Sequence, residues 1–485
     1  MKRSASAAKL ITTASGEEQT TAAGFDFAPE YAAELQPAEV SSAATAVPAE
    51  AGTSALEVSE VEARSWFAGT EASATLRHWT PILLRFTSIQ VVVQAIGFAA
   101  GILVVRNLPK QEYAFYTLCN TMLATVLVLA DGGISSALTA IGGRVWQDRG
   151  RLSQLLRTSL LLRRQMAAAA VPVVVGLLVW LLRRNGAPAG KIAVLVAIVL
   201  AGCGLELVTR IYVVALRLNS EIRQIQKQSL FAALLKFCLL AAAVALWFNV
   251  EFALLAVVAG FAVQYWMLRN WSRTHLDANA TPDPEMRSEI VSVVRRQSPH
   301  SIYYCLQAQI TVWLISVFGN ADRVADVGAL ARLAVVFVVL GSLTSELVFP
   351  AFARIQNLST LRQRYLQIVC GFAAVSGLLI GVVAIFPGEV LSVLGSRYSH
   401  LRTEGILMAL NSVMGAMAGL TWGLNASRAW IISPVTFIPV VLMIQIGLIA
   451  VLDFATVRGV LLFSTVTALS GFVWSIGFAL LRMRS

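Results

Sequence analysis

Long apolar runs alternate with short polar breaks through most of the chain. Twelve stretches of spanning length occur, at about 81–104, 112–140, 155–182, 190–217, 223–248, 252–271, 299–318, 326–350, 363–386, 403–425, 431–451 and 457–481. A helix needs ~20 apolar residues to cross the ~30 Å hydrocarbon layer, and it satisfies its own backbone groups there. Turn chemistry marks the breaks, as in "RNLPKQE" (Arg106–Glu112), "RRNGAPAGK" (Arg183–Lys191) and "ISPV" (Ile432–Val435). The pattern predicts an all-α polytopic membrane protein with about twelve transmembrane helices.

The longest internal break, 272–298, is polar and holds Pro282 and Pro284. It divides the spans into two sets of six. Because six is even, both sets enter the membrane in the same direction, the layout of parallel repeats related by an axis along the membrane normal. The expected organisation is an N-terminal six-helix lobe over 76–271, a cytoplasmic linker over 272–298 and a C-terminal six-helix lobe over 299–485. Residues 1–75 are a different material. They lack apolar periodicity and a signal-peptide core, and hold eleven acidic residues against four basic ones. They read as a disordered, acidic cytoplasmic tail.

Composition narrows the class. The chain is 57% hydrophobic and 13% charged, whereas a soluble protein carries roughly a quarter charged residues. Cys119, Cys203, Cys238, Cys305 and Cys370 lie in or beside apolar runs at no metal-ligand or redox spacing. His78, His275, His300 and His400 form no cluster, and no GxxxxGK[ST] phosphate loop is present. A membrane-embedded polysaccharide polymerase or ligase would carry a large external loop with catalytic residues, and every external break here is short. The expectation is a chain that is no enzyme, holds no metal or cofactor and binds no nucleic acid.

Charge sets the direction. Breaks on the side of the N-terminus hold about twice as many Lys and Arg as the other side, and basic loops stay cytoplasmic. Both termini are therefore expected inside. On the opposite side stand Arg106, Lys110, Arg183, Arg184, Lys191, Arg323, Arg397, Arg402 and Arg458.

Charges within the spans are the candidate chemistry. One costs ~2.5–3.5 kcal/mol at the bilayer centre on the insertion scale, and such groups face a bundle interior or a wet cavity. In "VLAGCGLELVTRIYVVALR" (Val199–Arg217), Glu206 and Arg210 share one helix face at i,i+4. They either fasten the fourth span to its neighbours or line a hydrated cavity. Arg85, Arg163, Arg164 and Lys236 have no such local partner. Snorkelling accounts for Arg85 near the cytoplasmic start of its span, but poorly for Lys236 near the midplane. Arg332 lies nearer the outer end. Together Arg85, Arg163, Arg164, Arg210, Lys236 and Arg332 are the candidate cations of a cavity suited to a phosphate or pyrophosphate head group. Asp131, Glu206 and Glu346 are candidate bracing or coupling acids. Gln90, Gln94, Tyr303, Tyr304, Gln307 and Gln309, on the first and seventh spans, are candidates for a polar path, interhelical hydrogen bonding being the alternative.

Two segments carry a family resemblance. "LLRFTSIQVVVQAIGFAAGILVVRNLPKQEYAFYTL" followed by "LADGGISSAL" resembles the opening of Wzx-like polysaccharide-biosynthesis flippases. These belong to the multidrug/oligosaccharidyl-lipid/polysaccharide exporter superfamily. Arg106, Leu108, Pro109, Glu112 and Tyr113 fill its first turn, and Asp131, Gly132 and Gly133 its second element. "ADVGALARLAVVFVVLGSLTSELVFPAFARIQ" is similar to its eighth-span signature, through Val327, Gly328, Arg332, Pro350 and Arg354. The resemblance implies a MATE/flippase-like fold in a bacterial inner membrane. It also implies alternating access that moves an undecaprenyl-pyrophosphate-linked oligosaccharide to the periplasmic leaflet, coupled to H+ or Na+. Partners would be the bilayer, the lipid-linked oligosaccharide, a polysaccharide polymerase and other assembly-pathway membrane proteins. A multidrug or organic-cation exporter of the same superfamily would prefer acids in the cavity.

Overall fold

The computed structural model describes residues 72–485 apart from 146, 220, 247, 273–276, 278, 279, 345–347, 354, 356, 429, 431, 432, 484 and 485. The side chains of 72–88 and of scattered helical positions, Tyr304 among them, also lie outside the described set. The expected tail falls outside the described residues, except for its last four, which begin the first helix.

Sixteen α-helices and no strand occur among the described residues. The first lobe comprises α1 (Ala72–Asn107), α2 (Lys110–Asp131), α3 (Ile134–Val145), α4 (Arg149–Arg184), α5 (Ala189–Leu218), α6 (Ile222–Leu246) and α7 (Val250–Ser272). The second comprises α8 (Pro284–Phe318), α9 (Ala321–Leu330), α10 (Val335–Leu343), α11 (Phe349–Ala353), α12 (Leu358–Ile385), α13 (Pro387–Leu394), α14 (Arg402–Ser427), α15 (Pro434–Val451) and α16 (Val457–Arg482). Eleven helical spans among the described residues are long and apolar enough to cross a membrane. The expected seventh, 299–318, is the second half of α8, where Gln309–Phe318 is the apolar part. The chain is a multi-pass membrane protein of two six-helix lobes.

Capping residues fix where several helices start. Asp148 accepts from Gly150 N and Arg151 N before α4, Asn320 from Arg323 N before α9, and Asn357 from Ser359 N before α12. Three spans differ from the sequence pattern. The second, expected as one helix over 112–140, breaks at Gly132 (φ 47°) and Gly133 (φ 104°), left-handed positions that suit glycine. The linker is helical from Pro284 onward, because Asp283 caps Glu285 N and Pro284 fills the first helical position. The eighth span starts earlier, at Ala321, and tightens into a 3-10 turn over Ala331–Ala334 that carries Arg332.

With helices alternating in direction, the turns at 108–109, 185–188, 319–320, 386–401 and 452–456 gather at one end, here the turn end. The C-terminus and the breaks near 148, 220, 280 and 357 gather at the other, the terminal end. Close helix contact comes from small residues, since lipid gives helices no hydrophobic push toward one another. A side chain at Gly202 of α5 would approach Val258 of α7 to 3.1 Å, and one at Gly328 of α9 would meet Thr117 of α2 at 2.5 Å.

The buried apolar side chains form three main clusters. At the turn end a single core runs through both lobes, joining Leu108, Tyr113 and Leu195 to Val324, Leu394 and Phe463. At the terminal end there are two. Ile134, Leu155 and Ile211 of the first lobe pack with Ile290 of α8. Leu361, Tyr365, Leu424 and Met483 form a separate core in the second lobe.

Candidate functional site

Of the charges inside the first lobe, four meet where α2, α4 and α5 converge. Arg163 of α4 is 1% exposed and forms an ion pair with Asp131, the last residue of α2. It also donates to Ser135 Oγ of α3 at 2.9 Å and to Leu207 O of α5 at 3.2 Å. Ser135 Oγ donates in turn to Asp131 Oδ1 at 2.6 Å. Arg163 thus staples both sides of the Gly132–Gly133 break and ties them to α5. The sequence pattern predicts a cavity-lining cation without a local partner at this position. The structure corrects that, because the guanidinium is enclosed and its charge is met by Asp131.

Glu206 and Arg210 form the expected i,i+4 pair, with Nε to Oε1 at 3.1 Å. Arg210 is 45% exposed, whereas Oε2 of Glu206 is buried with no hydrogen-bond partner among the described residues. Arg163, Asp131, Glu206 and Arg210 are two cations and two anions, so the group is balanced. It braces the helices and offers no net charge to a ligand.

A second group sits at the junction between lobes. Arg332, presented by the 3-10 turn, lies against Gly101 of α1, where a side chain would come within 3.3 Å of its Cδ. Its Nε donates to Tyr113 Oη of α2 at 3.3 Å, and its guanidinium stands over the Tyr116 ring, 5.8 Å from the centroid. Tyr113 Oη donates onward to Gly328 O at 3.0 Å. Lys236 of α6 also acts electrostatically on the Tyr116 hydroxyl. Neither cation has a carboxylate partner among the described residues. Two positive charges, one from each lobe, thus act on Tyr116 without being paired to a carboxylate among those residues.

This junction lies beneath a latched turn end. Arg106 donates to Val393 O at 2.9 Å and Ser392 O at 2.7 Å, while Arg397 returns a bond to Leu108 O at 2.8 Å. Lys110 pairs with Asp326 at 2.9 Å, and its Nζ stands 5.4 Å from the centroid of the Tyr398 ring. Burial pushes the Tyr398 phenol above its ordinary value, so that ring is neutral. Arg184 donates to Val317 O at 2.7 Å and Asn185 to Ser316 Oγ at 2.8 Å. Within the first lobe, Lys191 bridges Glu112 and Glu251.

The remaining candidates scatter. Arg164 and Gln90 are exposed and Gln94 is half-buried. Gln307 is engaged by Gln445 Nε2 of α15 at 2.5 Å, and Tyr303 meets the Phe437 ring edge-on at 5.7 Å, so both are held within the second lobe. The side chains of Arg85 and Tyr304, and all of Glu346, lie outside the described residues. Sequence reasoning missed Tyr116 and the latch. The signal was present in the first turn motif, since Arg106, Leu108, Glu112 and Tyr113 each make a turn-end bond.

No protein-family model matches the chain, and no curated protein does. Solved structures match its fold. An inward-facing conformation of a multidrug resistance MATE family transporter of the MOP superfamily aligns with TM-score 0.65 and 16% identity, over 80% of this chain and 95% of that one. An outward-facing conformation of such a transporter aligns at 0.58 and 16%, over 82% and 96%. A MOP superfamily transporter from Pyrococcus furiosus, described by a reversed polarity of its binding pocket that suggests a different function, aligns at 0.56 and 17%, over 82% and 94%. The two-lobed helical architecture of this chain is the fold of these MATE and MOP superfamily transporters.

Proposed function

We propose that the chain is an alternating-access transporter of an anionic lipid-linked substrate. The substrate is an undecaprenyl-pyrophosphate-linked oligosaccharide bound for surface polysaccharide, taken from the cytoplasmic to the periplasmic leaflet of a bacterial inner membrane. The observation that carries the reading is the pair Lys236 and Arg332, neither with a carboxylate partner among the described residues. Each charge is costly in a membrane interior, and an arriving phosphate supplies the missing anion through charge-assisted hydrogen bonds. Since one cation comes from each lobe, a ligand that binds both is sensitive to how the lobes are arranged. That sensitivity is the differential affinity on which a population shift depends.

The direction of opening supports the same reading. The apolar core is continuous at the turn end and divided at the terminal end, and the TM-score is higher against the inward-facing than the outward-facing neighbour. With the termini cytoplasmic, a cavity parted at the terminal end loads from the leaflet where lipid-linked precursors are made. The minority cations of the opposite side do not contradict that orientation. Seven of the nine are tied by bonds within the protein, namely Arg106, Lys110, Arg184, Lys191, Arg323, Arg397 and Arg458. Coupling to H+ or Na+ would supply the driving force.

The solved neighbours described as multidrug transporters favour a second reading, export of organic cations, and a cationic site opposes it. The deciding experiment is export in a deletion strain complemented with wild type, Lys236→Ala or Arg332→Ala. Loss of one charge-assisted bond, about 1.5–3 kcal/mol, lowers export of lipid-linked sugar by about 10–100-fold, with precursor trapped on the cytoplasmic leaflet. Unchanged glycans with new sensitivity to cationic drugs would establish organic-cation export in its place.

A further inference from the structure

In the second lobe, α15 and α16 border an open groove of about 600 Å³. Its walls are Val441 and Ile444 of α15 and Val466, Val473, Gly477 and Phe478 of α16. The only hydroxyl among its lining residues, Ser470, is already donated to Thr467 O at 2.7 Å. Nothing lies within 4 Å of where a side chain at Gly477 would begin, and Val473 is 59% exposed. The groove is open, and both walls belong to apolar spans.

Its shape and rim identify an occupant. Between Val466 and Leu481, α16 rises about 22 Å, more than the ~15 Å hydrocarbon depth of one leaflet. That is the dimension of a hydrocarbon chain. At the terminal-end mouth stands Arg482, its guanidinium over the Phe478 ring at 5.8 Å from the centroid. A cation at the mouth of an apolar trough matches a lipid whose chain carries a phosphate. The inner wall is also tied to the lobe junction. Trp474 meets Phe437 at 6.2 Å, and Phe437 meets Tyr303 of α8, the helix that enters the second lobe.

We propose that this groove binds one anionic phospholipid of the terminal-end leaflet, with an acyl chain between α15 and α16 and its phosphate at Arg482. The lipid completes the packing of α15 against α16 and α8. The proposal is independent of what the protein transports.

The test is native mass spectrometry of the full chain purified in mild detergent, with phosphatidylglycerol, diacylglycerol or polyprenyl phosphate titrated in. Wild type is expected to retain one phosphatidylglycerol. Gly477→Leu, which fills the trough while favouring helix, is expected to retain none. Val473→Trp serves as a second filling variant should that protein fold poorly. Arg482→Ala is expected to weaken phosphatidylglycerol about five- to tenfold and to leave diacylglycerol unchanged. Retention by both filling variants, or diacylglycerol binding as tightly as phosphatidylglycerol, would overturn the proposal. So would preferential capture of polyprenyl phosphate, which would make the groove a carrier-lipid site.

Discussion

The two ends of this molecule are built from similar residues and put together differently. At the turn end, guanidinium groups reach backbone carbonyls across the lobes and one apolar core continues beneath them. At the terminal end there are two separate cores, one joining the first lobe to the start of α8 and one within the rest of the second lobe. The charged braces there act within the first lobe or between it and α8. Arginine is abundant at both. The difference lies in what it joins: Arg106, Arg184 and Arg397 bond carbonyls of the other lobe at one end, whereas at the other Arg163 and Arg428 bond within their own lobe and Arg144 pairs with Glu289 of α8. Bonds across the lobes must break for the turn end to part, whereas the Arg163 staple can persist through such a movement. The contrast separates groups that hold a state from groups that hold a lobe.

The largest effect on this contrast is expected at Arg163. Its replacement by Ala leaves Asp131 half-buried with only Ser135, a loss of about 3–5 kcal/mol of lobe stability that thermal unfolding in detergent should register. Arg163→Met combined with Asp131→Leu should recover most of it, since no buried charge is then left alone. An Arg163→Ala protein as stable as wild type would mean that the staple does not hold the lobe.

A middle-sized effect is expected at Gly328. Alanine there favours helix, so any loss reports the clash with Thr117 Oγ1, which overpacking data place at about 1–3 kcal/mol. Amide exchange over Leu108–Tyr113 should accelerate by about 5–150-fold, and Thr117→Ala should reverse it. Exchange unchanged in Gly328→Ala would mean that the lobes do not depend on this close approach. The smallest effect belongs to Asp326→Asn, which keeps the hydrogen bond to Lys110 and loses its charge assistance. About 1 kcal/mol, or roughly fivefold faster exchange at the same amides, is expected. A larger response in the first lobe's terminal-end helices would contradict the division between the two ends.

Much of the fold was legible because a membrane leaves few choices. Eleven of the twelve expected spans coincide with long apolar helices, and the seventh is found inside the longer α8. The Gly132–Gly133 pair stands out as a motif, but the helix break it makes was not legible. A positive φ is a backbone fact, and a run such as "LADGGISSAL" reads as one apolar helix until that turn is seen. Candidate cations are found by their cost in lipid, and this criterion does not separate paired from unpaired ones. Arg163 and Lys236 look alike in sequence. Asp131 is 32 residues from Arg163, and only the packing of α2 on α4 brings it there.

Hydropathy and helix length are local properties, so the spans, the two sets of six and the positions where charge enters the membrane follow from the chain's own residue order. Which of those charges are neutralised, and which end of the molecule is shut, came from the packed fold. Packing set Arg332 over the Tyr116 ring, with Lys236 acting on the hydroxyl of that tyrosine, and it set Gly328 against Thr117. Such outcomes depend on which helix faces meet, and in a bilayer the faces are chosen by close packing and hydrogen bonding between helices far apart in the chain.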